Sequence, residues 1–250
     1  MNGTAKRQNE LAVVVPVYRN AATLRVLAER TTAALFEYCH DYQIVFVIDD
    51  SPDNSWDVVQ SMANDDSRVA GILLARNVGQ HEALLIGMRH VDAEWYAIMD
   101  ADLQDPPELL ADLFRLARSE RQTLFGCRQG IYQSIGRMLT SRIYKTLIRC
   151  LTGLPQNAGT FLVMPKTVAR SLLAMKVRFP HVVIMAHHAA SSRAAFTYRR
   201  AERSIGTSAY TWSRRLKAGW EGLHCALDCC LGFEEDTTRS FLPIADKVNL

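Results

Sequence analysis

"LAVVVPVY" (Leu11–Tyr18) is an unbroken apolar run rich in β-branched residues. Nothing in it alternates between apolar and polar. It reads as a strand buried on both faces, the mark of a parallel sheet. "YQIVFVID" (Tyr42–Asp49), "VAGILLA" (Val69–Ala75) and "WYAIMD" (Trp95–Asp100) repeat the pattern. Helical periodicity fills the intervals: roughly 21–38, a short helix reaching Met62, and "GQHEALLIGMRHV" (79–91). A helix over 106–119, a strand over 122–127 and a long helix near 133–151 follow. Such alternation implies an α/β sheet with right-handed crossovers.

The chain has 250 residues, 48% hydrophobic and 22% charged, which suits one globular unit with a substantial core. No apolar window of about 18 residues occurs, so no spanning helix is expected. "MNGTAKRQNE" at the start has no apolar h-region, so the cytoplasm is the expected compartment. The six cysteines form no CxxC pair and have no histidines at zinc spacing, which implies reduced, mostly buried thiols. The net charge of +3 is unevenly placed. Thirteen Lys and Arg, and not one Asp or Glu, lie between Arg121 and Ala201. The remainder holds sixteen bases against twenty-six acids. This asymmetry implies an anionic partner for the basic part: a phosphate, an acidic membrane surface or a nucleic acid. The basic part lacks the interleaved aromatic and glycine patterns of nucleic-acid modules, which argues against the last.

In open parallel sheets, ligands sit beyond the carboxyl ends of the strands. The first four strands end in Pro16, Val17, Tyr18 and Arg19; in Asp49, Asp50 and Asp53; in Arg76, Asn77 and Gly79; and in Asp100, Ala101, Asp102 and Gln104. There is no G-x-G-x-x-G and no P-loop, which disfavours a nicotinamide enzyme or a P-loop NTPase. An acidic pair at a strand end instead suits Mg²⁺ or Mn²⁺, with Gln104 as a neutral oxygen. Such an ion neutralises charge developing on a leaving diphosphate. Asp49 is placed to meet a nucleobase N–H, and Tyr18 to lie against a base or ribose. The second half of "DADLQDPPE" (Asp100–Glu108) reads differently. Asp105, Pro106, Pro107 and Glu108 look like an N-cap, an early proline and a first-turn acid, with Asp105 also near enough to serve the site.

"VVVPVY", "SPDNSW", "RNVGQHEALLIGM" and "DADLQDPPELL" together resemble family 2 glycosyltransferases, in the dolichyl- and polyprenyl-phosphate branch. "RSIGTSAYTWSRRLKAGW" (Arg203–Trp220) resembles that branch's late R-x-x-G-x-S-x-Y element. The resemblance implies a GT-A fold: a Rossmann-like, mostly parallel sheet flanked by helices, here with a C-terminal basic amphipathic helical portion. It implies inverting transfer from a nucleotide sugar of UDP, GDP or dTDP type with Mg²⁺ or Mn²⁺, onto a lipid phosphate. Residues 1–128 would form the nucleotide-sugar half and 129–250 the acceptor half of one continuous catalytic domain. Carried over by motif, Pro16, Val17 and Tyr18 line the nucleotide. Asp49 takes the nucleobase role, with Asp50 a close second because the phase of "IDDSPD" is ambiguous. Arg76, Gly79 and His81 lie beside the base or diphosphate, as do Asp100 and Ala101. Asp102 and Gln104 hold the metal. Asp100, Asp102 and Arg203 are the catalytic set, and Arg128, Arg137, Arg203 and Ser208 meet the acceptor phosphate.

Two departures from the branch's pattern stand out. Thr160 and Leu162, in "AGTFLVM", replace an Asp and an Arg, and membrane-spanning helices found in many relatives are missing. A hydroxyl acceptor needs a general base; a lipid phosphate is already an anion. The acid-free stretch therefore favours a phosphate acceptor, with a changed acceptor or lost activity as the alternatives. Leu139, Ile143, Leu147 and Leu151 form one stripe of the helix near 133–151, and Arg142, Lys145 and Arg149 another. That helix, and the segment Trp212–Phe233, suit an anionic bilayer surface or simple packing on the sheet. Peripheral attachment to the inner membrane face is the first of these readings, and a homo-oligomer is compatible with either. His181, His187 and His188 read as core or groove lining.

Overall fold

The computed structural model describes residues 9–129, 146–200, 212–232 and 243–250. Its strands are β1 (Asn9–Val17), β2 (Tyr42–Ile48), β3 (Val69–Leu74), β4 (Ala93–Ile98), β5 (Thr123–Gln129), β6 (Ala158–Pro165), β7 (Arg193–Arg199) and β8 (Ile244–Val248). Its helices are α1 (Ala21–Leu35), α2 (Ser55–Asp65), α3 (Gln80–His90), α4 (Leu109–Glu120), α5 (Lys166–Ala174), α6 (Val182–Ala189) and α7 (Trp212–Leu231). The strands form one sheet in the order β7-β5-β6-β4-β1-β2-β3-β8. β1 runs parallel to β2 and β4, and β2 to β3. β6 is antiparallel to both β4 and β5, and β8 is antiparallel to β3. β5 and β7 are parallel to each other, so six strands deliver their carboxyl ends to one edge.

Successive side chains of a strand face opposite sides of a sheet. Val13 and Val15 accordingly pack with Leu24 and Leu27 of α1, Val59 of α2 and Phe114 of α4. Val14 packs on the other face with Leu84 and Ile86 of α3, Leu172 of α5 and Ile184 of α6. Two covered faces are the physical reason that "LAVVVPV" carries no polar alternation. Each fully buried Val, Leu, Ile or Phe contributes about 1.5–3 kcal/mol. β1 pairs with β4 only as far as Val14, while its pairing with β2 runs on to Val17. Pro16 thus sits in a central strand where the β4 side has already diverged, and its missing N–H costs no ladder bond. That divergence between β1 and β4 is the switch point where such sheets open a crevice.

Several expectations change. The alternation does not continue past β5, because β6 returns antiparallel into the gap between β5 and β4. Helix α4 begins at Leu109 rather than 106, and Glu108 at its N-cap makes no side-chain cap bond. Asp105 is therefore not the cap; its carboxylate is used elsewhere. Within a helical segment at 146–152, Ile148 is buried while Leu147 is 43% exposed, so the inward stripe is not the one centred on Leu147. Residues 130–145, with Leu139, Arg142, Ile143 and Lys145, lie outside the described residues. In α7, Cys225 and Ala226 are fully buried in the core, and buried Asp228 pairs with Arg178 at 2.7 Å. That face of α7 closes the core instead of lying on a bilayer, although Trp220 stays 61% exposed. No helix among the described residues is long and apolar enough to cross a membrane.

Gly87 of α3 has no room for a Cβ, which would stand 2.6 Å from Val14 Cγ1 and 2.8 Å from Val47 Cγ2. Both neighbours are stiff β-branched side chains. Gly87→Ala is expected to lose about 1–2 kcal/mol of unfolding free energy in urea, because overpacking outweighs the helix-propensity gain. His187 lies edge-on to Phe125 at 5.6 Å, with neither ring nitrogen partnered. Burial pushes His181 and His187 down to about 4. Unfolded histidine titrates near 6.5, so the folded state favours the neutral rings. Their stabilising contribution is complete above about pH 6.5 and is lost as pH falls through about 4. Within that window each histidine is expected to add up to ~1.4 kcal/mol per pH unit to the slope of stability, and His187→Phe should remove one share in urea titrations at several pH values.

Candidate functional site

The crevice is built from strand ends. The loop after β4 carries Asp100, Ala101, Asp102 and Gln104, and Leu103 within it adopts φ 58°. Arg19 after β1 (φ 59°) and Asp50 after β2 (φ 49°) are also left-handed without being glycine. Three neighbouring loops with this uncommon backbone are held by their surroundings, as is common around binding sites. The holding groups are identifiable. Asp53 accepts the Ala21 N–H at 3.0 Å and the Ser51 and Ser55 hydroxyls at 2.6 Å each, joining the starts of α1 and α2. Burial pushes the Asp53 carboxyl up, but these hydrogen bonds outweigh it and the net shift is downward. The Ser51 hydroxyl also accepts the Arg19 N–H at 2.7 Å. Buried Thr23 donates to the Ala101 carbonyl at 2.6 Å, fixing the β4 loop against α1.

Asp49 is 4% exposed, and both its oxygens face the loop before α3. They accept the backbone N–H groups of Val78 at 2.7 Å and Gly79 at 2.8 Å, while Asn77 Nδ2 donates to the Asp49 carbonyl. Burial raises its pKa, and the two backbone bonds work against that. Gly79, at φ 91°, takes a conformation that an L side chain rarely adopts. Asp49 thus sets the entry to α3. Asp50 beside it is exposed, as is Arg76. Pro16 and Val17 are buried and Tyr18 is half-buried at the mouth, with Arg19 5.4 Å over its ring.

His81, at the start of α3, is engaged with α6. Its ring lies 4.1 Å from that of His181, and its Nδ1 accepts the Val182 N–H at 3.4 Å. Burial, then the neighbouring His181, push its pKa well below the usual range. Its neighbour Gln80 takes the inward position, donating to Asp100 Oδ1 at 2.8 Å.

Three carboxylates and two guanidiniums fill the centre. Asp100 Oδ1 also accepts the Thr160 hydroxyl at 2.7 Å. Arg128, at the end of β5, reaches Asp105 at 2.9 Å and Asp100 at 3.3 Å. Gly159 makes room for it; a Cβ there would stand 3.0 Å from Arg128 Cζ. Asp105 is fully buried and also accepts the Tyr198 hydroxyl at 2.5 Å. Burial and the Asp105 charge push the Tyr198 phenol up, which keeps it a donor. Arg200, just past β7, stands 3.2 Å from Asp105, 3.6 Å from Asp100 and 3.6 Å from Asp102. Asp102 Oδ1 accepts the Gln104 N–H at 3.1 Å. Burial, then Asp105, raise the Asp100 pKa, and Arg128 opposes them.

The structure therefore brings Asp100, Asp102, Gln104 and Arg128 together. It adds Gln80, Tyr198 and Arg200, which sequence reasoning had left out of the centre, and it brings in Asp105, which the sequence offered as a helix cap that could also serve the site. Arg199 and Arg200 close the acid-free stretch, and that was the available signal for Arg200. Leu162 is fully buried between Ile98 and Phe125, so an arginine there would sit in the core. Arg137, Arg203 and Ser208 lie outside the described residues. The donors at the β4 end are hard oxygens, the type that Mg²⁺ and Mn²⁺ take.

The profile of the family described as Glycosyl transferase family 2 matches residues 12–177. Undecaprenyl-phosphate 4-deoxy-4-formamido-L-arabinose transferase of Yersinia pestis (strain Pestoides F) is 32% identical over 221 residues, spanning 86% of this chain and 67% of the relative. The protein of the same name from Yersinia pseudotuberculosis serotype O:3 (strain YPIII) matches equally. Glucosyl-3-phosphoglycerate synthase from Mycobacterium tuberculosis, solved with Mn²⁺ and UDP-glucose, superposes with TM-score 0.64 at 14% identity, over 91% of this chain and 81% of that one. S. aureus TarS 1–349 with UDP-GlcNAc gives 0.51 at 17% identity, over 80% of this chain and 62% of that fragment. These likenesses show the GT-A fold, and the profile with the 32% relative goes further: the chain belongs to glycosyl transferase family 2.

Proposed function

We propose that this chain transfers a sugar from a nucleotide-sugar donor to a polyprenyl phosphate, with inversion at the anomeric carbon and with a divalent cation. One observation carries the choice of acceptor. Thr160, on the acceptor side, supplies a hydroxyl that donates to Asp100, where the branch's pattern has a carboxylate. Asp100, Asp102 and Asp105 are each engaged by donors or guanidiniums. A sugar hydroxyl needs a base to take its proton, and no side chain among 121–201 is a carboxylate. A phosphate monoester loses its second proton near pH 6 and attacks without one. The 32% identical relative is named an undecaprenyl-phosphate 4-deoxy-4-formamido-L-arabinose transferase, which supports the same acceptor class.

In this reading a phosphate oxygen attacks the anomeric carbon from the face opposite the leaving group. The new C–O bond forms as the bond to the diphosphate breaks, and the nucleoside diphosphate leaves with the electron pair. Asp102, with Gln104 and the edge of Asp100, would hold Mg²⁺ or Mn²⁺, which supplies charge neutralisation for the leaving diphosphate. Among the described residues no group of three His, Cys, Asp or Glu could hold a metal ion. Two carboxylates at a strand end instead suit an ion that completes its shell with substrate phosphates. Asp49 fixes the α3 entry, with Gly79 and Arg76 beside the diphosphate or base. Exposed Asp50 is the carboxylate at the end of β2 that faces outward to a base, with Tyr18 alongside over Pro16 and Val17. Arg128 braces the site from the acceptor side, and Arg137, Arg203 and Ser208 are the further ligands of the acceptor phosphate. A lipid acceptor puts the reaction at a membrane surface.

Incubation with a panel of UDP-, GDP- and dTDP-sugars, Mn²⁺ and undecaprenyl phosphate is expected to give a sugar on the lipid monophosphate. Transfer to a glycan acceptor alone would replace the lipid with a glycan, and no nucleotide binding at all would indicate a silent relative. Asp102→Asn is expected to lower transfer by about 10²-fold or more. Calorimetry should show its Mn²⁺-dependent UDP affinity lost, and retained affinity would remove Asp102 from the metal site.

A further inference from the structure

The two oxygens of Asp100 are engaged by different kinds of partner. Oδ1 accepts the Thr160 hydroxyl at 2.7 Å and the Gln80 side-chain amide at 2.8 Å. Oδ2 faces Arg128 at 3.3 Å and Arg200 at 3.6 Å. A carboxylate oxygen has about two lone-pair sites, so two neutral donors saturate Oδ1 and leave Oδ2 to cations. The aspartate cannot make that choice by itself, because its terminal torsion is broad and roughly two-fold. Both donors are held from outside. β6 pairs with β4 through Leu162 and Ile98, and the same register carried two residues further brings Thr160 opposite Asp100. The β-branched side chain of Thr160 is stiff. Gln80 opens α3, and Asp49 fixes that entry by accepting the N–H groups of Val78 at 2.7 Å and Gly79 at 2.8 Å.

We propose that Thr160 and Gln80 are positioning residues that occupy Oδ1 of Asp100 and thereby present Oδ2 to the divalent cation and the diphosphate. They act from opposite halves of the site, Gln80 from α3 on the donor side and Thr160 from β6 on the acceptor side. Loss of either donor empties a lone-pair site on Oδ1, and either oxygen can then turn to a guanidinium. Binding the cation with its diphosphate must afterwards restore one orientation, and that ordering weakens it. Thr160 thus has a task of its own where the branch's pattern has a carboxylate: a hydroxyl donates to Asp100, whereas an ionised carboxylate only accepts. This inference rests on the metal reading of the preceding section.

The test uses the intact chain with Mn²⁺ and UDP as probes, without turnover. Calorimetry measures UDP affinity with and without saturating Mn²⁺ for wild type, Thr160→Val, Thr160→Ser and Gln80→Met. Valine keeps the branching of threonine and removes the donor; methionine keeps the reach of glutamine and does the same. Thr160→Val and Gln80→Met are each expected to weaken UDP in Mn²⁺ by about tenfold, the size of one lost hydrogen bond to a charged group, and to change UDP without Mn²⁺ by less than about twofold. Thr160→Ser restores the donor and is expected to stay within about threefold of wild type in Mn²⁺. Residues that merely support the fold would weaken UDP equally with and without the ion. Thermal melts give an independent readout: the rise in Tm caused by Mn²⁺ with UDP should be smaller in the valine and methionine variants than in wild type. If Thr160→Val does not fold, Gln80→Met, at a half-buried helix start, carries the test. Unchanged Mn²⁺-dependent affinity in either variant, or a loss at position 160 that serine does not restore, overturns the positioning role alone. Wild type whose UDP affinity does not respond to Mn²⁺ overturns the metal reading and this inference together.

Discussion

A single buried carboxylate ties the carboxyl edge of the sheet together. Asp105 has no exposed side-chain surface, yet it meets Arg128 from β5, Tyr198 from β7 and Arg200 just beyond it. A charge in that position is costly unless paired and hydrogen-bonded on every side. Removing a partner of such a group costs about 3–5 kcal/mol, because the remaining charge is left uncompensated. The ends of β5 and β7 are therefore drawn to the loop after β4, and the acceptor-side strands register against the donor-side strands. Asp100 and Asp102 gain fixed places from the same network.

The donor side is braced by a second, separate system. Asp49 and Asp53 spend their oxygens on backbone N–H groups and hydroxyls at the starts of α1, α2 and α3. With the Ser51 hydroxyl they brace the loops that carry Arg19 and Asp50 at positive φ, conformations that non-glycine residues seldom adopt. A preorganised crevice follows, open where β1 and β4 part beyond Val14. The two systems meet at Asp100, which Gln80 holds from α3 and Thr160 from β6. Cys225 and Ala226 of α7, with the ion pair Arg178–Asp228, close the core on the face of the sheet that α3 covers.

Charge distribution gives the crevice its chemistry. Acids cluster at the ends of the donor-side strands, and the acid-free run from 121 to 201 supplies the cations that face them. A guanidinium paired with a carboxylate is also a guanidinium poised for phosphate, since both are planar or tetrahedral oxyanions that accept its N–H groups. The same residues can thus stabilise the empty site and receive an anionic substrate.

The sequence by itself determined the mostly parallel sheet type, the positions of the first four strands along the chain and the residues at their ends. Continuous apolar runs and turn residues are local signals, and motif resemblance added the family. Asp100, Asp102, Gln104 and Arg128 were legible in this way. Only the tertiary structure decided the insertion of β6 between β4 and β5, because strand pairing across long separations leaves no periodicity to read. For the same reason Asp105 looked like a helix cap: its local context, two prolines and an acid, fits a cap, while the partners that claim it lie 23 to 95 residues away. His81 and Gln80 are adjacent in sequence, and only packing against His181 determined which of them turns toward the carboxylates.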